Sequence, residues 1–354
     1  MIFREIAAFD VVHGPLRWPW IAFAASGSSL AYASSSRAIA TRSLEGDRFV
    51  EGPSFMLPTD LVLESEVRME AARRSGLTAF ALSPARDEPA LLAVTGIAGD
   101  SHVVAMLDAS GERKRARVDA LLGEGHEVQA IAFDRSGRRL WLSAETATET
   151  VTALVDVDSL ATIGIVRSAP VPRPALHELH LHPQDDAVLL LAACGEQGSF
   201  ARVVGFAGDV VSAVPTALDS GGVPAGFVGF SADAARVHLA EADELRTHGW
   251  PTLDELSSVP FDDDFVSSFS GAVLGKDILV DGEDAETRED AIMIFDRSAI
   301  HGTVLRTPAP TGMWAGRLGA EAIVTIEAKG DPVRARVLLR TTTGAEASAK
   351  RIMS

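Results

Sequence analysis

The sequence predicts an all-β chain of stacked four-stranded meanders, and three observations carry that reading. The first is the stretch from Gly125 to Val166. It holds four short apolar runs, Val128–Phe133, Leu140–Ser143, Val151–Val157 and Ile163–Val166. Asp134-Arg135-Ser136-Gly137 separates the first two, with a glycine that tolerates positive φ and Asp and Ser side chains that bond nearby amides. The second is repetition. An apolar strand, a polar or Pro/Gly turn and another apolar strand recur from Ile21, Phe80, Ile131, Leu179, Val228 and Phe269, with a weaker seventh copy from Met313. The third is period. Phe23, Leu82, Phe133, Leu181 and Phe230 hold equivalent places, 59, 51, 48 and 49 residues apart. One meander cannot bury both its faces, so copies must stack.

A repeat of this length points to a single β-propeller with seven four-stranded blades. The approximate blades are 15–74, 75–125, 126–173, 174–222, 223–263, 264–310, and 311–354 with 1–14. The repeats resemble the WD40-like family of β-propellers. Gly125-His126 stands where that family has its Gly-His pair. Leu107-Asp108 and Phe295-Asp296 stand where it has Trp-Asp, and Ser83-Pro84 and His182-Pro183 resemble the Ser-Pro of its first turn. Most blades lack Gly-His and none ends in an intact Trp-Asp. The resemblance implies a scaffold for partners, no particular chemistry, and a structural network around His126.

At 354 residues the chain is long for one domain, but closed β architectures exceed the usual size. Its single cysteine, Cys194, forbids an internal disulfide and fits a reducing, cytoplasmic compartment. The start, MIFREIAAFDVVHG, carries charges and no long apolar core. It does not read as a signal peptide, and no segment is long enough to insert in a membrane. Asn is absent and only 4 of 32 basic residues are Lys. That bias toward G/C-rich codons indicates a bacterial gene. A net charge of −17 disfavours nucleic acid, which needs clustered Lys and Arg, and favours a protein partner with a basic contact surface.

Along the chain, Ile2–Val12 has no partner in blade 1 and is assigned as the outer strand of the last blade, closing the ring. Arg17-Trp18-Pro19-Trp20 leads into blade 1. Thr59–Gly76 is an insertion, read as a surface helix capped by Thr59 or Asp60 or as a wandering outer strand, against the alternative of a partner-binding helix. Pro-rich Ala169–Ala175 links blades 3 and 4. His180 and His182 share a strand face, but two histidines make no zinc site, so both are expected to be structural. Asp281–Asp290 lacks the spacing of an EF-hand loop and is expected to be a solvated acidic loop.

Topology gathers the loops between second and third strands onto one face with the links between blades. The expected recognition face therefore includes Ser34–Arg37, Gly99–Ser101, Glu145–Thr150, Glu196–Ser199, Glu241–Glu244 and Asp281–Asp290. The expected partner-binding residues are Arg17, Trp18, Trp20, Arg173, Phe261, Asp262, Asp263 and Trp314, against the alternative that each Trp packs between blades. No Gly-x-Ser-x-Gly elbow, phosphate loop or cysteine pair occurs. No catalytic residue, metal or cofactor is assigned. The sequence favours a non-catalytic interaction scaffold or subunit of a larger complex. The alternatives are a metal-dependent, lactonase-like hydrolase and a small-ligand sensor, each with its site in the central channel.

Overall fold

A computed structural model describes residues 2–12, 21–24, 27–62, 76–84, 90–172, 175–219, 222–295, 302–305, 313–327 and 333–341. It is a seven-bladed β-propeller, a ring of seven four-stranded antiparallel sheets. Blade 1 holds β2 (Ile21–Phe23), β3 (Ser29–Ser35), β4 (Ala38–Glu45) and β5 (Arg48–Met56). Blade 2 holds β6 (Gly76–Leu82), β7 (Leu92–Ala98), β8 (Ser101–Asp108) and β9 (Gly111–Arg117). Blade 3 holds β10 (Glu127–Phe133), β11 (Arg139–Glu145), β12 (Thr150–Asp156) and β13 (Thr162–Ser168). Blade 4 holds β14 (Leu176–Leu181), β15 (Ala187–Ala193), β16 (Ser199–Ala207) and β17 (Val210–Asp219). Blade 5 holds β18 (Gly226–Phe230), β19 (Arg236–Ala240), β20 (Glu244–Gly249) and β21 (Glu255–Pro260). Blade 6 holds β22 (Phe265–Leu274), β23 (Asp277–Asp284), β24 (Asp290–Phe295) and β25 (Gly302–Leu305).

Blade 7 combines both ends of the chain. Its order is β26 (Met313–Leu318), β27 (Ala322–Glu327), β28 (Val333–Thr341) and then β1 (Ile2–Val11). β1 runs antiparallel to β28 from Ile2 opposite Thr341 to Val11 opposite Val333. The sequence expectation for this strand holds: Val11 is fully buried and Phe9 nearly so, stacked beside Tyr32 and Phe49 of blade 1.

The core is divided by the ring. Among the described residues it forms seven apolar clusters, and each lies between two neighbouring blades. This is why the second strands read as unbroken apolar runs. In β11, Leu140, Leu142 and Ala144 pack toward blade 2, while Trp141 packs toward Val188 and Val204 of blade 4. The outer strands face water and carry charge, as in GERKRAR of β9, which blunts their edges. The innermost strands of blades 5 and 6 approach closely. A Cβ on Gly226 would lie 1.5 Å from the Phe269 carbonyl oxygen, so only glycine fits there.

The link between blades 2 and 3 contains α1 (Val118–Leu122), a single helical turn. It buries Val118, Leu121 and Leu122 in the cluster between those blades. The helix expected within Thr59–Gly76 falls largely on 63–75, outside the described residues. At the start of that segment, Leu61 is buried and the Asp60 carboxylate pairs with Arg115 of β9.

Candidate functional site

In an antiparallel meander the loop from second to third strand and the link to the next blade emerge at the same end. The ring gathers these segments into one face. Eight exposed carboxylates stand on it with no ion-pair partner: Asp100, Glu124, Glu196, Asp243, Asp262, Asp263, Glu286 and Glu289. Other acids of this face are neutralised locally. Glu149 pairs with Arg167, Glu244 with Arg246, and Glu283 with Arg288. Burial pushes the Glu244 carboxyl up, but hydrogen bonds from Ser258 and Arg246 bring it below the ordinary range, so it stays ionised.

The opposite face manages charge differently. In the turn between β10 and β11, Asp134 accepts the amides of Arg138 and Arg139, the Ser136 hydroxyl and the Arg139 guanidinium. Arg139 continues to Asp186 of blade 4, and Arg340 joins Asp277 of blade 6. These pairs tie blade to blade. The first face has no such tie for its eight unpaired carboxylates, although the opposite face also exposes Asp158, Asp209 and Asp233 without an ion pair.

The expected partner-binding residues divide three ways. Arg17, Trp18, Trp20 and Arg173 lie outside the described residues. Asp262 and Asp263 are exposed on the acidic face, in the link from β21 to β22. Phe261 and Trp314 are corrections. Phe261 is 8% exposed, its ring 5.3 Å from that of Phe265, and its amide donates to the Asp243 carbonyl. Trp314 is 5% exposed and packs edge-on to Phe3 in the cluster between blades 6 and 7. A large apolar group where the chain enters an inner strand falls between two blades, because that is where apolar area leaves water. The loop Asp281–Asp290 also needs correction at its ends. Asp281 and Asp284 are buried, and only the segment around Glu286–Glu289 is solvated.

His126 and His182 are bonded into the framework of the ring, as the sequence reading expected. His126 Nδ1 bonds the Gly123 carbonyl at 3.0 Å and Nε2 the Glu149 carboxylate at 3.1 Å. Arg167 joins Glu149 and donates to the Leu122 carbonyl, locking the link to its own blade. His126→Ala is expected to lose about 1–2 kcal/mol of stability, read as a fall of a few degrees in Tm. His182 stacks flat on Trp250 at 4.4 Å and bonds the Ala234 carbonyl. His180 stacks on Phe227 at 3.7 Å, so both histidines face blade 5, as their spacing requires. His238 and His248 are buried in blade 5; burial drives the His238 pKa down to about 4 and keeps the ring neutral.

Sequence reasoning missed a buried polar group between blades 3 and 4. Ser143 Oγ lies 2.8 Å from His177 Nδ1, and Glu145 lies 3.5 Å from His177 Nε2. The three residue types suit nucleophilic catalysis, but Ser143 is fully buried and no substrate reaches it. The signal was a polar residue three places after the start of an apolar second strand. Thr95, Ser143, Asp281 and Thr325 all occupy that place, after Leu92, Leu140, Ile278 and Ala322. Among the described residues no three His, Cys, Asp or Glu side chains converge as a metal-binding group.

No family model matches the chain, and no curated protein matches it.

Proposed function

We propose that this propeller is a non-catalytic interaction module of WD40-like type, a scaffold or subunit that holds a protein partner with a basic surface. The observation that carries the proposal is the asymmetry of charge. Eight carboxylates without an ion pair, from blades 2 to 6, share one face; the opposite face also exposes Asp158, Asp209 and Asp233 without an ion pair, but it ties Asp186 and Asp277 to Arg of a neighbouring blade. Unpaired surface charge raises the encounter rate with a complementary partner and repels phosphate backbones, so direct nucleic-acid contact is disfavoured. The WD40-like assignment rests on the Gly125-His126 pair and the buried bonds His126 makes. No described helix is long and apolar enough to cross a membrane. A cytoplasmic setting follows from the one, buried, cysteine.

The test compares the wild-type chain with Asp243→Lys/Asp262→Lys/Asp263→Lys as baits in the native host. These carboxylates are exposed and bonded to nothing, so the variant is expected to keep the wild-type Tm. A stoichiometric partner captured by wild type at low salt, lost at moderate salt and lost in the variant, supports the reading. A partner retained by the triple variant, or a protein that emerges alone at low salt, overturns it.

A further inference from the structure

One of the exposed large apolar side chains, Phe269, is held in place at a conformational cost. It lies in β22, the innermost strand of blade 6, and its φ is +56°. That is left-handed backbone, which a bulky aromatic residue rarely adopts. The cause is a bulge. Ser267 pairs with Gly282 and Ser270 with Asp281, so Ser268 and Phe269 have no mates on β23. The Phe269 amide bonds Ser267 Oγ at 3.0 Å, and its carbonyl oxygen sits where any Cβ on Gly226 of blade 5 would lie. Phe265 and Ser267 are buried, and regular alternation would send Phe269 after them between the blades. The bulge breaks the alternation and leaves the ring 37% exposed. Strain of this kind persists where neighbours over-determine it, as Ser267 and Gly226 do here.

The half of β22 that carries the bulge is the half at the acidic face. Asp262 and Asp263 stand in the link just before it. Phe265 lies opposite Asp284, and the loop after Asp284 carries Glu286 and Glu289. That loop is tied to the link by the Ala285 amide, which donates to the Asp264 carbonyl. The Phe261 amide donates to the Asp243 carbonyl and brings in the loop of blade 5. Asp243, Asp262, Asp263, Glu286 and Glu289, all exposed and without an ion pair, are thus gathered at this end of blade 6. The cations beside them are engaged, Arg288 with Glu283 and Arg246 with Glu244.

We propose that Phe269 is the apolar anchor of a docking site, and that its occupant is a partner segment with an aliphatic side chain flanked by Lys or Arg. Contact with that side chain removes the exposed ring from water, and the surrounding carboxylates take the flanking cations. The same carboxylates repel an apolar segment with acidic flanks, so charge selects among apolar partners. The inference rests on the acidic-face reading above and adds its point of contact.

The experiment is fluorescence polarisation of the full chain with two labelled peptides, KKLKK and KKSKK, at low ionic strength. The leucine peptide is expected to bind about fivefold or more tightly than the serine peptide. Phe269→Gly is expected to bring the leucine peptide to the level of the serine peptide. Its Tm is expected to match or exceed that of wild type, because glycine adopts positive φ without strain. A residue kept only for packing would lower the Tm instead. If Phe269→Gly does not fold, Phe269→Asn also tolerates this backbone and is expected to lose the same preference. Asp243→Lys/Asp262→Lys/Asp263→Lys is expected to weaken both peptides. Equal binding of the two peptides by wild type, with both weakened by the triple variant, overturns the anchor and leaves the acidic face standing. A leucine preference that survives in Phe269→Gly also overturns the anchor. Failure of both peptides to bind below about 1 mM, or binding that the triple variant does not weaken, overturns the anchor and the acidic face together.

Discussion

Deletion of residues 1–12 is expected to abolish the stable monomer. The segment supplies the outer strand of blade 7, paired along β28 from Thr341 to Val333. It also buries Phe9 and Val11 against Leu30 and Tyr32 of blade 1. Each buried side chain of that size contributes about 1.5–3 kcal/mol, and the net stability of a domain is only about 5–15 kcal/mol. The deleted chain also presents β28 as a bare edge, which invites pairing with another molecule. Size-exclusion chromatography with circular dichroism is expected to show aggregated or poorly folded material. Moving the same residues behind residue 354 in a circular permutant keeps the antiparallel pair and is expected to restore the monomer. A deleted chain that stays monomeric with the wild-type Tm would show that the ring does not depend on this closure.

Asp281→Asn is expected to stabilise the protein strongly at neutral and alkaline pH. Asp281 lies in the second strand of blade 6, with its carboxyl buried. Burial raises its pKa from 3.8 to about 8, against smaller opposing bonds from Ser270 and the Trp314 amide. Between those values the folded protein holds a proton that the unfolded chain has released. The contribution of the neutral acid is thus present in full below about pH 4 and is lost as the pH rises toward 8. The slope is about 1.4 kcal/mol per pH unit, or roughly 4 kcal/mol by pH 7. Asn keeps an acceptor for the Trp314 amide and a donor for Ser270 without ever ionising. Urea unfolding from pH 4 to pH 8 is expected to give a gap between variant and wild type that is near zero at pH 4 and widens with pH. A gap that does not change with pH would mean that Asp281 is solvated and ionises normally.

The repeat was legible because each blade must bury both faces of its middle strands, and that demand is written into runs such as Leu140–Ala144 and Val188–Ala192. Ring closure was legible for a related reason: Ile2–Val12 is apolar enough for a strand yet has no mate in blade 1. The candidate sites were legible only in part. Asp262 and Asp263 were placed on the exposed face correctly. Phe261 and Trp314 satisfy the composition of a binding anchor and of a core residue equally well, and both pack between blades. Asp281 looked like one more member of an acidic loop, although it directly follows the apolar run Ile278–Val280 of its strand and is buried with it.

The sequence by itself determined the class of fold, the spacing of its repeats, the pairing of its two ends and the acidic balance of its loops. These follow from local pattern and from the need of each strand to cover its apolar faces. Only the tertiary structure decided which charges are free and which are paired, since partners such as Arg139 and Asp186 lie in different blades. It alone brought Arg340 of blade 7 to Asp277 of blade 6, although 63 residues of chain separate them. The physical reason is that a closed ring packs distant strands against each other, and no spacing along the chain records which side chains meet there.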